Sequence, residues 1–175
     1  MKRKNAGFSL IEAMTVLAIL AITLTLGLSN FGGSLRRNRT QATMHLLSAD
    51  MAMARNTAIM RDMAIVVCPR TVDGGCAGDS DWSRGWIVFA DGDGNRRLDS
   101  GQDPLRSEDA PAAGDGSLRV VSSRPLLRYQ RDGRSANSNL TVHVCMDGKI
   151  SGQVIVNNLG RVRTSTRKAG SPCPR

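Results

Sequence analysis

The hydrophobic positions of this chain change period twice. From Phe8 to Leu28 the run FSLIEAMTVLAILAITLTLGL is apolar almost throughout and carries one charge, Glu12. At a helical rise it is roughly 31 Å long, the thickness of a bilayer's hydrocarbon core. Gly27, Gly32 and Gly33 then interrupt the pattern. Each weakens a helix by about 1 kcal/mol relative to alanine, so a bend or partial melting is expected there. From about residue 36 to 61 the period is helical again, with Met44, Leu47, Met51, Ala54 and Ala58 at three- and four-residue steps. That stripe predicts a helix packed on a sheet, with Arg37, Gln41 and Asn56 on its solvated face. After Asp62 the runs are short and rich in β-branched residues: MAIVVC (Met63–Cys68), RGWIVFAD (Arg84–Asp91), SLRVVSS, PLLRYQ, LTVHVCM (Leu140–Met146) and QVIVNN (Gln153–Asn158). They read as strands. SEDAPAAGDGS (Ser107–Ser117) between them reads as a polar loop. One long helix followed by several strands predicts an α+β domain.

Composition changes this picture little. With 41% hydrophobic residues the chain can bury a core, and with 3% aromatics that core must be aliphatic. Charge changes it more. The net charge of +9 is unevenly spread: residues 62–118 sum to −6 and residues 119–175 to +9. A basic final third suits a polyanion and says nothing about fold.

The chemistry that the residue types exclude is broad. No Gly-x-Ser-x-Gly elbow and no Gly-x-x-x-x-Gly-Lys phosphate loop occur, so neither a serine hydrolase nor an ATPase is expected. His45 and His143 stand alone and read as structural. In DGDGNRRLDSGQD (Asp91–Asp103), Asp91, Asp93 and Asn95 fall at the first, third and fifth positions of a calcium loop. Arg96 and Gln102 replace the required glycine and glutamate, so a turn is expected, and no metal or other cofactor. The four cysteines, Cys68, Cys76, Cys145 and Cys173, lack zinc spacing. In an exported domain an even count favours disulfides. Of three connectivities the local one, Cys68–Cys76 with Cys145–Cys173, is expected, because it closes a short loop and pins the tail. Trp82 and Trp86 could stack on bases or pack in the core, and packing is the expectation.

Glu12 resists a plain anchor reading, since a carboxylate inside an apolar helix costs about 2.5–3.5 kcal/mol unless paired. A cut between Gly7 and Phe8 would expose an amine on Phe8, and Glu12 of one subunit could pair with that amine on a neighbour. KNAGFSLIEAMTVLAILAI resembles the class III signal of type IV pilins and type II secretion pseudopilins: a basic leader, Gly7, Phe8, and Glu12 at the fifth mature position. The resemblance implies cleavage after Gly7, methylation of Phe8 by a prepilin peptidase, storage in the inner membrane, and assembly with other pilins, guided by Glu12. It implies a leader (1–7), a membrane and filament-core helix (8–35) and an exported globular domain (36–175) of pilin-like α+β fold. It implies no enzymatic activity.

A narrower resemblance, to the FimT/FimU and GspH minor pilins, rests on ARNTAIMRDMAIVVCP, the block Trp82–Arg106, LRYQRDGRS (Leu127–Ser135), HVCMD around Cys145, and NNLGRVRT before Cys173. In a strand, Arg161 and Arg163 share a face about 7 Å apart, close to the spacing of successive phosphates. Gly160 permits a sharp turn or a close approach. Arg167 and Lys168 add charge, and a Cys145–Cys173 bridge is expected to hold the tail beside that strand. From the residues alone, two readings stand: sequence-independent binding of double-stranded DNA by its phosphates, or a solvated strand end meeting acidic neighbours in a filament. The FimT branch is associated with DNA capture in natural transformation and carries a C-terminal Gly-Arg-x-Arg signature, matched by Gly160, Arg161 and Arg163. FimU and GspH relatives prime filaments, which keeps a purely structural role as the alternative.

Overall fold

The computed structural model describes residues 9–109, 116–135, 137–166 and 171–174, with the side chains of residues 25–31 left aside. One helix and eight strands make up the described chain: α1 (Leu10–Arg61), β1 (Ile65–Pro69), β2 (Gly85–Ala90), β3 (Arg106–Asp109), β4 (Leu118–Ser122), β5 (Leu127–Tyr129), β6 (Leu140–Met146), β7 (Lys149–Val156) and β8 (Val162–Thr166). The chain divides into two compact units, Met1–Arg37 and Asn38–Arg175.

In the first unit, Leu10 to Leu24 present exposed apolar side chains. Among the described residues, no helix is long and apolar enough to cross a membrane. The expected span Phe8–Leu28 begins at Phe8, outside those residues, and its last side chains fall within 25–31. The partial melting expected at Gly27, Gly32 and Gly33 does not occur, for all three lie inside α1. Each glycine costs about 1 kcal/mol relative to alanine, which weakens a helix without ending it.

The second unit is an α+β fold, helix on antiparallel sheets. One sheet runs β3-β2-β1-β5 and the other β4-β6-β7-β8. The helical stripe Met44, Leu47, Met51, Ala54 and Ala58 is buried and packs on the inward residues of both sheets, among them Val67, Val88, Leu127, Val142, Val144, Val154 and Val156. Strands β1 and β2 are covered on both faces. Their other sides form a second small core of Val66, Cys68, Ile87 and Phe89. This explains why IVVC and GWIVFA read as unbroken apolar runs rather than alternating ones.

Strand β3 is a correction to the loop expected from Ser107. Arg106–Asp109 pairs antiparallel with β2 through Trp86↔Glu108 and Val88↔Arg106. It is an edge strand of charged, mostly exposed residues, so backbone pairing holds it and no hydrophobic alternation marks it. The turn between β6 and β7 has the chemistry its sequence demands: Asp147 and Gly148 both have positive φ, 51° and 74°, as a two-residue hairpin turn requires.

Candidate functional site

Strand β8 closes the second sheet at its edge, and the turn Asn157–Gly160 leads into it from β7. The Gly160 N–H donates to the Asn157 carbonyl (2.8 Å), the Asn157 N–H to the Arg161 carbonyl (3.2 Å). The Arg161 N–H donates to the Asn157 side chain (2.9 Å). The ladder then pairs Val156 with Val162 and Ile155 with Arg163. Val162 packs against the core while Arg161 and Arg163 are exposed. Arg163 follows Val162 onto the outward face, and Arg161, one residue before β8 begins, continues the same alternation, with their Cα atoms about 7 Å apart along the chain. Neither guanidinium has a carboxylate partner among the described residues.

Gly160 itself is buried and has φ of 75°. A Cβ built there would lie 1.9 Å from the Gly133 carbonyl oxygen and 3.1 Å from Arg55 Nε. Arg55, on α1, donates from Nε to that same carbonyl (3.0 Å). Gly160 is thus the contact point between the β7–β8 turn, the turn after β5, and the helix. Its part in the arrangement is to let two backbones touch, which sets the position of Arg161.

The disulfides are Cys68–Cys76 and Cys145–Cys173. The second does not sit where the tail was expected to be pinned. Cys173 donates its N–H to the Gly148 carbonyl (2.8 Å), and Pro172 bridges Lys149. These are at the β6–β7 turn, whereas Arg161 is level with the other end of β7. Ile150, which pairs with Cys145, and Val156, which pairs with Val162, are six residues apart on β7. That separation is about 20 Å. The bond anchors the tail at the far end, and the Gly160–Gly133 contact braces the arginines instead. Arg161 and Cys173 are near in sequence, but β8 leaves the β7–β8 turn antiparallel to β7 and carries the chain towards the β6–β7 turn.

Arg167, Lys168, Gly7 and Phe8 lie outside the described residues. Glu12 is exposed in the first turn of α1. Trp82 and Trp86 are buried, and Trp86 Nε1 donates to the buried Asp50 carboxylate (2.8 Å). Both tryptophans are core residues. With Phe89 and Tyr129 also buried, no aromatic of residues 38–175 is available for base stacking. In the Asp91–Asp103 loop, Asp91 is wholly consumed by the protein. One oxygen accepts the Arg96 N–H (2.9 Å) and the other accepts from Arg128 Nε (2.7 Å). His143 lies on the outward face of β6, its Nδ1 3.0 Å from the Gln153 side-chain nitrogen.

Electrostatics elsewhere is local. Burial by itself would raise the Asp81 carboxyl, but hydrogen bonds from Ser83 and the charges of Arg119 and Arg84 hold it below its ordinary value. Burial pushes the Tyr129 phenol well above the ordinary range, against the opposing charge of Arg55.

A family model described as type II transport protein GspH matches residues 43–160, the region just described from helix to Gly160. The chain belongs to the GspH family of minor pilins and pseudopilins. This is a structural, non-enzymatic family. A second model, the prokaryotic N-terminal methylation motif, matches residues 2–28. The motif implies processing by a prepilin peptidase and assembly with other pilins. Two crystal forms of the Pseudomonas aeruginosa type IV minor pilin FimU have the same fold. The P21 form has 22% identity and a TM-score of 0.60, covering 79% of this chain and 97% of that one. For the P65 form the values are 21% and 0.56, with 77% and 99% covered. No curated protein matches the chain.

Proposed function

We propose that this GspH-family protein is a FimT-like minor pilin that binds extracellular double-stranded DNA, without sequence preference, for uptake in natural transformation. The observation that carries the reading is the exposed pair Arg161 and Arg163, held on a braced turn with no carboxylate partner among the described residues. An arginine fork already paired would have to break that pair before it could reach a phosphate; these do not. The burial of every aromatic in residues 38–175 supports phosphate contact over base stacking. Arg167 and Lys168 extend the same basic segment.

In this reading the chain is cut after Gly7 and methylated on Phe8. It waits in the inner membrane through the helix of residues 8–35, and enters a type IV pilus with Glu12 setting register against a neighbour's amine. The domain of residues 36–175 is then displayed at the cell surface. Each copy makes few phosphate contacts, so affinity is modest and several copies gain by avidity.

A second reading, priming of a pilus or a type II secretion pseudopilus without DNA, is favoured by the GspH match and the FimU likeness. Arg161 and Arg163 would then face acidic groups of an adjacent pilin. Titration of the full chain in nonionic detergent with duplex DNA at low and moderate salt separates the two. Binding that weakens with salt, and collapses when both arginines become glutamine, is expected. No binding at low salt, or binding indifferent to the double change, removes the DNA reading.

A further inference from the structure

The turn after β5 is an unassigned neighbour of the basic pair. Gln130 to Arg134 form a closed loop: the Gln130 N–H donates to the Arg134 carbonyl (2.8 Å) and the Gly133 N–H to the Gln130 carbonyl (2.8 Å). Asp132 accepts the Arg134 N–H through its carboxylate (3.0 Å). Gly133 has φ of 74°, and a Cβ there would come within 2.6 Å of the Ile59 side chain, so the turn lies directly on α1.

This loop is stitched to the β7–β8 turn by three independent contacts. The Ser135 N–H donates to the Asn158 carbonyl (3.2 Å), and the Ser135 hydroxyl to the Asn157 carbonyl (2.7 Å). The Gly133 carbonyl occupies the space a side chain would need at Gly160. Arg134 is the residue between Gly133 and Ser135, and Arg161 the residue after Gly160. The two arginines therefore flank one shared backbone contact, each one residue from it. Arg134 is exposed, and its guanidinium, like those of Arg161 and Arg163, has no carboxylate partner among the described residues. The one acidic residue within the two turns is Asp132.

We infer that the Gln130–Arg134 turn is the second half of the same polyanion site, with Arg134 contacting a duplex phosphate beside those held by Arg161 and Arg163. The inference rests on the DNA-binding reading above. Arg134 then adds a third guanidinium next to the shared contact, where the strand end alone would present two; Arg131, also exposed on this turn, lies two residues from Gly133. Asp132 is the residue that limits affinity: its charge opposes the ligand while its oxygen holds the turn.

The test is a salt titration of duplex DNA binding by the full chain in nonionic detergent. Four variants are compared with the parent: Arg134→Gln, Asp132→Asn, Arg119→Gln, and the double change at Arg161 and Arg163. Arg119 is an exposed arginine on β4, at the opposite edge of the sheet three strands from β8, and controls for net charge. Loss of one phosphate contact lowers the slope of log affinity against log salt by about 0.9. Arg134→Gln is therefore expected to lose about three- to fourfold less affinity between 50 and 200 mM salt than the parent. Asp132→Asn keeps the acceptor for the Arg134 N–H and removes the charge, and is expected to bind about twofold tighter. Arg119→Gln is expected to keep the parent slope.

If Arg134→Gln behaves as Arg119→Gln does, or if Asp132→Asn does not tighten binding, while the double change still abolishes it, the inference is overturned and the DNA reading survives. If the double change has no effect, the DNA reading falls and takes this inference with it.

Discussion

Two groups of arginines in this domain are used in opposite ways. Around the first sheet four of them are paired with carboxylates. Arg128 pairs with Asp91 at 2.7 Å, Arg106 with Asp50 at 3.4 Å and Glu108 at 3.2 Å, Arg84 with Asp79 at 3.0 Å, and Arg70 with Asp109. At the two joined turns, Arg134, Arg161 and Arg163 stand exposed with no carboxylate partner among the described residues. Linear charge hides this division. Arg128 belongs to the segment of net +9, yet it crosses to the acidic half and neutralises a fully buried Asp91. A count of basic residues thus measures what a chain can offer a polyanion only after the internal pairs are removed.

The comparison breaks first, and hardest, at Asp91. Its carboxylate is completely buried, and Arg128 is mostly so. Asp91→Ala leaves that guanidinium and the Arg96 N–H without their acceptor, and is expected to cost about 3–5 kcal/mol in denaturant unfolding. A loss below about 1 kcal/mol would mean that the first group is as dispensable to folding as the second.

Next in size is Gly160→Ala, which tests whether the second region is braced by its backbone rather than by charge. A left-handed alanine and a collision with the Gly133 carbonyl together are expected to cost about 2–4 kcal/mol in the same measurement.

Tyr129, in β5 between the two regions, gives a smaller and pH-dependent effect. Its folded pKa lies above the unfolded value of 10.0 because the phenol is buried. Both states hold the proton below that value, and the unfolded chain releases it first above it. Stability is therefore whole below pH 10 and falls as pH rises beyond it, by up to about 1.4 kcal/mol per pH unit. Tyr129→Phe is expected to flatten that slope. The hydroxyl has no hydrogen-bond partner among the described residues, so the variant should stay within about 1 kcal/mol of the parent at neutral pH. Unfolding curves at pH 8 and pH 11 check both.

The smallest expected effect sharpens the comparison most. Replacing Arg161 and Arg163 together by glutamine should leave unfolding within about 0.5 kcal/mol of the parent, since both are exposed and pair with no carboxylate among the described residues. A large loss of stability would place them with the first group and make any lost DNA affinity an indirect consequence.

Much of this was legible in advance for a physical reason. Met44, Leu47, Met51, Ala54 and Ala58 announce a buried helical face because periodicity is a property of neighbours along the chain. The apolar runs of β1, β2, β6 and β7 were visible likewise. Strand β3 was not, because an exposed edge strand is held by backbone hydrogen bonds and needs no apolar alternation. Arg134 was not, because Gln130–Ser135 and Asn157–Gly160 are separated by the β6–β7 hairpin. RDGRS by itself reads as an ordinary polar turn.

The sequence by itself determined an N-terminal apolar helix with one acid, Glu12, inside its apolar run, a helix-then-strands order, four cysteines, and an outward alternation that puts Arg161 and Arg163 on one face. These follow from local rules of spacing and side-chain type. Only the tertiary structure decided which arginines pair with carboxylates among the described residues, that Cys173 anchors the far end of the β7–β8 hairpin, and that Gly160 touches Gly133. Each depends on which strand ends the sheet brings side by side, and strand pairing joins residues that no local pattern connects.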